Sequence, residues 1–133
     1  MAAKAKHTEI KGFVKGTLHC NCPDEVFADI DLRKNPYVSS YLPYSTRLLV
    51  GQRLLIYIVN LPDAASLPSL LPSMIGAGKR ERDEKGLNRF RAVIVTPTKE
   101  DLEPIATELF DAISGRDDRI HLHVIDKKLV PDL

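Results

Sequence analysis

Residues 89 to 126 constrain the fold more than any other stretch. Leu102, Ile105, Ala106, Leu109, Phe110 and Ile113 recur at the spacing of a 3.6-residue period, which is one apolar stripe on an α-helix. Thr98 with Asp101 resembles an N-cap and its acidic third residue, Glu100 adds a second acid to the first turn, and Gly115 supplies a left-handed stop. Pro104 is discordant, because inside a helix it removes a hydrogen bond and crowds the carbonyl four residues back. The pattern therefore predicts either a helix that starts near Glu103 or one with a kinked first turn.

The flanks of that helix read as strands. Ala92 to Val95 is a continuous apolar run, as in a strand covered on both faces. Ile120, Leu122 and Val124 alternate with His121, His123 and Ile125, giving one buried face and one mixed face. A strand, helix and strand in about forty residues is long enough for a right-handed parallel crossover. Antiparallel pairing with another strand in between is the competing arrangement.

The rest of the chain is fitted around this unit. Leu54 to Val59 is the most apolar run and reads as the central strand, within a third strand spanning 47–61. Upstream, Ile10, Phe13, Val14, Thr17 and Leu18 among Gly12 and Gly16 suggest a bent strand. Val26 to Leu32 suggests its partner, with a turn through Cys22, Pro23 and Asp24. Downstream of the central strand, Pro68 and Pro72 argue against one regular helix over 62–78. A short helix from about Ser69, ended by Gly76 and Gly78, satisfies the rule that proline is tolerated early. Residues 79–88 alternate in charge and read as a solvated loop. The expected fold is a single α/β or α+β domain over 1–133. In it a flexible segment (1–7) precedes an N-terminal β-hairpin (8–32), a Tyr/Pro/Ser loop (33–46) and a β-α-β-α-β segment (47–133). The sheet is mixed, with about five strands and two helices.

Composition narrows the functional classes. A formal charge of +1 gives no global field to draw in nucleic acid or an acidic membrane. Cys20 and Cys22 are too close in sequence to close a useful disulfide loop, and Met1 to His7 carries no apolar signal region, so a cytoplasmic setting is expected. The longest apolar stretch, Leu48 to Leu61, is interrupted by Gly51, Gln52, Arg53 and Asn60 and falls short of a membrane span.

Several groups of residues are candidate sites. Tyr37, Tyr41, Leu42 and Tyr44 crowd one loop; such aromatics make an interface, or else fold back as core. If the three central strands are parallel, Asn60, Asp63, Thr96, Thr98, Asp126 and Lys127 lie at their carboxyl edge, where open α/β sheets take ligands. Thr98 and Asp63 serve equally well as helix caps. Lys79, Arg80, Arg82, Arg89 and Arg91 form a basic group after Gly76 and Gly78. The spacing is not that of a phosphate-binding loop, and Glu81, Asp83 and Glu84 interrupt the charge, which weakens a nucleic-acid reading. Cys20 and Cys22 with His121 and His123 could close a zinc site or activate a thiolate, but paired Cys at zinc-finger spacing is missing.

No catalytic constellation and no cofactor motif stands out. The preferred expectation is a non-catalytic binding or assembly subunit that contacts a protein partner or another copy of itself through the 35–46 and 79–91 loops. The alternative is a small-ligand protein or enzyme using the strand carboxyl edge or the Cys/His set.

Overall fold

The structure is a computed structural model and describes residues 8–18, 24–35, 37–38, 43–115 and 117–130. Five strands form one mixed sheet in the order β1-β2-β3-β4-β5: β1 (Ile30–Lys34), β2 (Thr46–Val50), β3 (Leu54–Asn60), β4 (Arg89–Thr96) and β5 (Ile120–Asp126). β1, β2 and β3 are an antiparallel meander, and β3, β4 and β5 are parallel. The parallel connections carry the two long helices, α2 (Leu67–Glu84) and α3 (Lys99–Ile113), while a short helix α1 occupies residues 8–12. This is the expected α+β class, a hairpin followed by β-α-β-α-β, and the apolar run Leu54–Val59 is the buried middle strand.

Both crossovers step in the same direction along the sheet, so right-handed connections put α2 and α3 on one face. That face is filled by Leu55, Tyr57, Val59, Phe90, Ala92 and Ile94 from the sheet, against Leu67, Leu71, Met74, Leu102 and Ala106 from the helices. The opposite face, built on Leu54, Ile56, Ile58, Val93 and Val95, is covered by Ile10, Phe13, Val14, Leu18 and Phe27.

That second cover corrects the reading of the N-terminus. Residues 8–12 are helical, Phe13–Thr17 is a π turn closed by Leu18 N–H donating to the Phe13 carbonyl, and Asp24–Ala28 is a 3-10 turn. The hairpin expected over 8–32 is displaced along the chain: β1 pairs with β2, and the ladder takes in Arg33, Lys34 and Thr46 from the ends of the loop expected over 33–46. The spacing Ile10, Phe13, Val14, Leu18 is itself helical, and Gly12 and Gly16 mark no strand bend but stand in open space. The expected turn residues Cys22 and Pro23 lie outside the described residues.

The single strand expected over 47–61 is two strands. Gly51 (φ 60°) and Gln52 (φ 53°) both have positive φ, and Arg53 N–H donates to the Val50 carbonyl at 3.1 Å. Val50 pairs with Leu54, so residues 51–53 form a three-residue hairpin loop with two left-handed positions, the first of which glycine takes without strain. A Cβ at Gly51 would also meet the Val26 backbone at 2.7 Å.

The helix expected over about 69–78 begins at Leu67 and continues to Glu84, taking most of the expected charged loop with it. Pro68 sits in the first turn, where its missing N–H costs nothing. Pro72 does lose a bond, at about 3 kcal/mol. Burial of Leu67, Leu71, Met74 and Ile75 outweighs this, at roughly 1.5–3 kcal/mol for each large side chain. The helix passes Gly78 without stopping because that residue faces the Phe90 ring. α3 likewise runs from Lys99 straight through Pro104, and ends with Gly115 at φ 66°.

The far half of α2 is held by ions rather than apolar contact. Arg47 of β2 donates from Nε to both Glu81 oxygens, at 3.2 and 3.1 Å, and from Nη2 to Glu81 Oε2. Lys85 Nζ lies 2.6 Å from Glu81 Oε2, and the Tyr57 hydroxyl donates to Oε1 at 2.5 Å. Arg82, buried one position on, donates to Asp83 at 2.8 Å and to Asp117 at 2.6 Å, tying the α3–β5 connection to α2. Burial works against ionised Glu81, but hydrogen bonds from Arg47, Lys85 and Tyr57 prevail and hold its carboxyl at about 2.

Candidate functional site

Asn35 organises the start of the tyrosine loop. Its side-chain amide donates to the Tyr44 carbonyl at 2.9 Å, and its side-chain oxygen accepts from Tyr37 N–H at 3.3 Å. Its own N–H donates to the Ser45 carbonyl at 2.9 Å. One residue thus clamps both stems where the chain leaves β1 and enters β2. Beyond the clamp the expected aromatic set divides. Tyr44 is buried and packs its ring at a tilt against Tyr57, 4.6 Å between centroids, and Tyr57 in turn meets Phe90 edge-on at 4.9 Å, so Tyr44 belongs to the core. Tyr37 is 83% exposed and Val38 42%. Tyr41 and Leu42 lie outside the described residues.

Val38 also borders a groove of about 460 Å³ at the carboxyl end of β3 and the start of α2, with Val59, Leu61, Leu70, Ser69 and Ser73. Two of its serine hydroxyls bond back along the chain: Ser69 Oγ donates to the Ser66 carbonyl and Ser73 Oγ to the Ser69 carbonyl, each at 3.2 Å. With those donors occupied, the groove offers mainly carbon surface. It joins two groups that were separate in the sequence, the aromatic loop through Val38 and the carboxyl edge through Asn60.

The other carboxyl-edge residues are engaged locally. Asp63 accepts from Ala65 N–H and Asp126 from Lys128 N–H, each at 2.9 Å, as caps of short 3-10 turns. Thr98 does not cap α3 with its side chain, which corrects the capping-box expectation; its hydroxyl lies 3.2 Å from the hydroxyl of fully buried Thr96. Lys127 opens the last 3-10 turn and is exposed.

The basic group does not form one loop or one patch. Lys79 and Arg80 are exposed on α2, while Arg82 is buried among acids. Arg89 and Arg91 lie on β4, where they meet the two histidines of β5. Arg89 Nη1 is 3.0 Å from His121 Nε2, and Arg91 Nη1 is 2.8 Å from His123 Nε2. A guanidinium can only donate, so both Nε2 atoms accept and both rings are neutral with the proton on Nδ1. Burial, then Arg91 and Arg89, push His121 below the usual histidine value. Two guanidiniums on those nitrogens make a poor setting for the zinc site considered above, whose other members, Cys20 and Cys22, lie outside the described residues. Among the described residues no group of three or more His, Cys, Asp or Glu is arranged to hold a metal. The pairing had a signature: Arg-Phe-Arg and His-Leu-His each alternate with period two, and in adjacent parallel strands such rows face one another.

No family model, no curated protein and no solved structure matches this chain. Among the described residues no helix is long and apolar enough to cross a membrane.

Proposed function

We propose that the protein is a non-catalytic binding subunit that holds a protein partner, a second copy or another chain, through the surface formed by Tyr37, Val38 and the adjoining groove. The observation that carries this reading is Tyr37: a large aromatic ring turned to solvent from a stem fixed by Asn35, beside an apolar groove. Tyrosine offers large contact area at small entropic cost, and aromatic residues are enriched at protein interfaces. The partner supplies an apolar side chain for the groove between Val38, Leu61 and Leu70. A cytoplasmic setting fits this reading, since neither Cys20 nor Cys22 closes a useful loop with the other.

A photo-crosslinking amino acid at position 37 tests the proposal in cells, with the same group at exposed Glu108 as control. A discrete adduct is expected from position 37 and not from 108, and Val38→Asp is expected to abolish it. Sedimentation then separates a second copy from another chain. Position 37 giving no adduct beyond that of 108, with the purified chain sedimenting as a monomer, overturns the reading.

A further inference from the structure

Every other buried arginine in the described residues has its acid. Arg47 is matched by Glu81 and Asp31, and Arg82 by Asp83 and Asp117. Arg91 is the exception. It is 8% exposed, its Nη1 reaches the Leu18 carbonyl at 3.2 Å and His123 at 2.8 Å, and among the described residues no carboxylate lies within ion-pair distance. Its Nε is buried with no hydrogen-bond partner. Neither contacted group carries a negative charge, since one is a carbonyl and the other a neutral imidazole. A second guanidinium, Arg89, stands on the same strand face two residues away and is exposed. An unpaired buried charge is costly, and a like charge beside it adds to the cost. In agreement, burial and then Arg89 pull the Arg91 guanidinium below its usual value.

We propose that Arg89, Arg91, His121 and His123 form a binding site for a phosphoryl group. The match is one of charge and shape. Two guanidiniums two residues apart on one strand face stand in one another's field, and a dianion between them removes the repulsion and satisfies planar N–H donors two at a time. A phosphate carries a charge of about −1.5 to −2 near neutral pH, whereas a carboxylate neutralises only one of the two cations. Arg89 and His121 form the accessible rim and Arg91 the floor. His123 also borders a groove of about 480 Å³ around the outer edge of β5, lined by Thr17 and Ile125 and, from α3, by Lys99 and Glu103, which gives an organic ester room beside the phosphoryl group. The four Arg and His side chains lie on the sheet face away from α2 and α3 and do not depend on the Tyr37 surface.

The test is titration of the purified full chain with inorganic phosphate and, separately, phenyl phosphate, at fixed ionic strength with chloride as the balancing anion. Binding is followed through the imidazole ring signals of His121 and His123, assigned by their alanine variants. Saturable shifts confined to these rings are expected. Arg89→Gln, at an exposed position, should weaken binding about tenfold, the effect of one lost charge-assisted contact of about 1.4 kcal/mol. Arg80→Gln, on the opposite face, should leave it unchanged. Tighter binding of phenyl phosphate identifies an ester ligand using the β5 groove, and tighter inorganic phosphate identifies the free ion. The proposal is overturned if neither probe gives saturable shifts, or if Arg80→Gln weakens binding as much as Arg89→Gln.

Discussion

Two glycines two positions apart in α2 should respond to alanine with opposite signs. Gly76 has no atom within 4 Å of where its Cβ would stand, so Gly76→Ala gains helix propensity with no steric cost. A stabilisation of about 0.5–1 kcal/mol is expected. At Gly78 a Cβ would lie 2.5 Å from Cε1 of Phe90 and nearer still to Cζ and Cε2. Carbon atoms pack at about 3.5–4.0 Å, so the ring or the helix must move by about 1.5 Å. The ring is fully buried and wedged against Tyr57 at 4.9 Å, and α2 is fixed at its far end by Arg47 and Glu81. Overpacking of this kind costs about 1–3 kcal/mol, and taking the upper end less the propensity gain leaves about 2 kcal/mol of net destabilisation. For a chain of this size that lowers the melting temperature by roughly 6–10 °C, while Gly76→Ala raises it by roughly 2–4 °C. Thermal and urea unfolding of the single variants would measure both. Phe90→Leu shortens the obstructing ring, so the double variant Gly78→Ala/Phe90→Leu should be less destabilised than the two changes summed. If Gly78→Ala matched or exceeded the wild type in stability, α2 would not approach β4 this closely.

The Glu81 network supplies two further expectations. Glu81→Ala leaves Arg47 buried without its main partner and should cost about 3–5 kcal/mol in urea unfolding, whereas Tyr57→Phe removes one hydrogen bond and should cost about 1–2 kcal/mol; equal losses would contradict the ranking. Acid should also unfold the protein through this pair of sites. The carboxyls of Glu81 and Asp117 are both held at about 2, below ordinary values of 4.5 and 3.8, the latter mainly by the Arg82 hydrogen bond. Such groups contribute their full stability above the unfolded value and lose it as pH falls toward the folded one, here from about 4.5 to 2, by roughly 2–3 kcal/mol each. Glu81→Gln combined with Asp117→Asn should flatten the fall of the urea midpoint across that window, and an unchanged slope would refute the assignment.

Local pattern determined a large share of this architecture. The stripe from Leu102 to Ile113 specifies α3, the unbroken run Leu54–Val59 specifies a buried central strand, and the period of two in β5 specifies a strand with one buried and one mixed face. These features were legible because burial of a helix or strand face depends on spacing along the chain alone. The N-terminal segment was harder to read, since Gly12 and Gly16 suggested bends although the apolar residues around them keep helical spacing.

What only the tertiary structure decided is which charged and aromatic residues pair across distant segments. Lys79 to Glu84 has the composition of a solvated loop, yet it is helical because Arg47 waits on β2 for Glu81 and Asp117 waits beyond α3 for Arg82. Tyr44 and Tyr37 are alike in sequence context, but one meets the Tyr57 ring and the other meets water. Arg91 and His123 become partners only because β4 and β5 run parallel in one register. A side chain's own chemistry states what it can bind, but the energy of a buried charge or ring depends on the group brought opposite it, and that is set by the packing of the whole sheet.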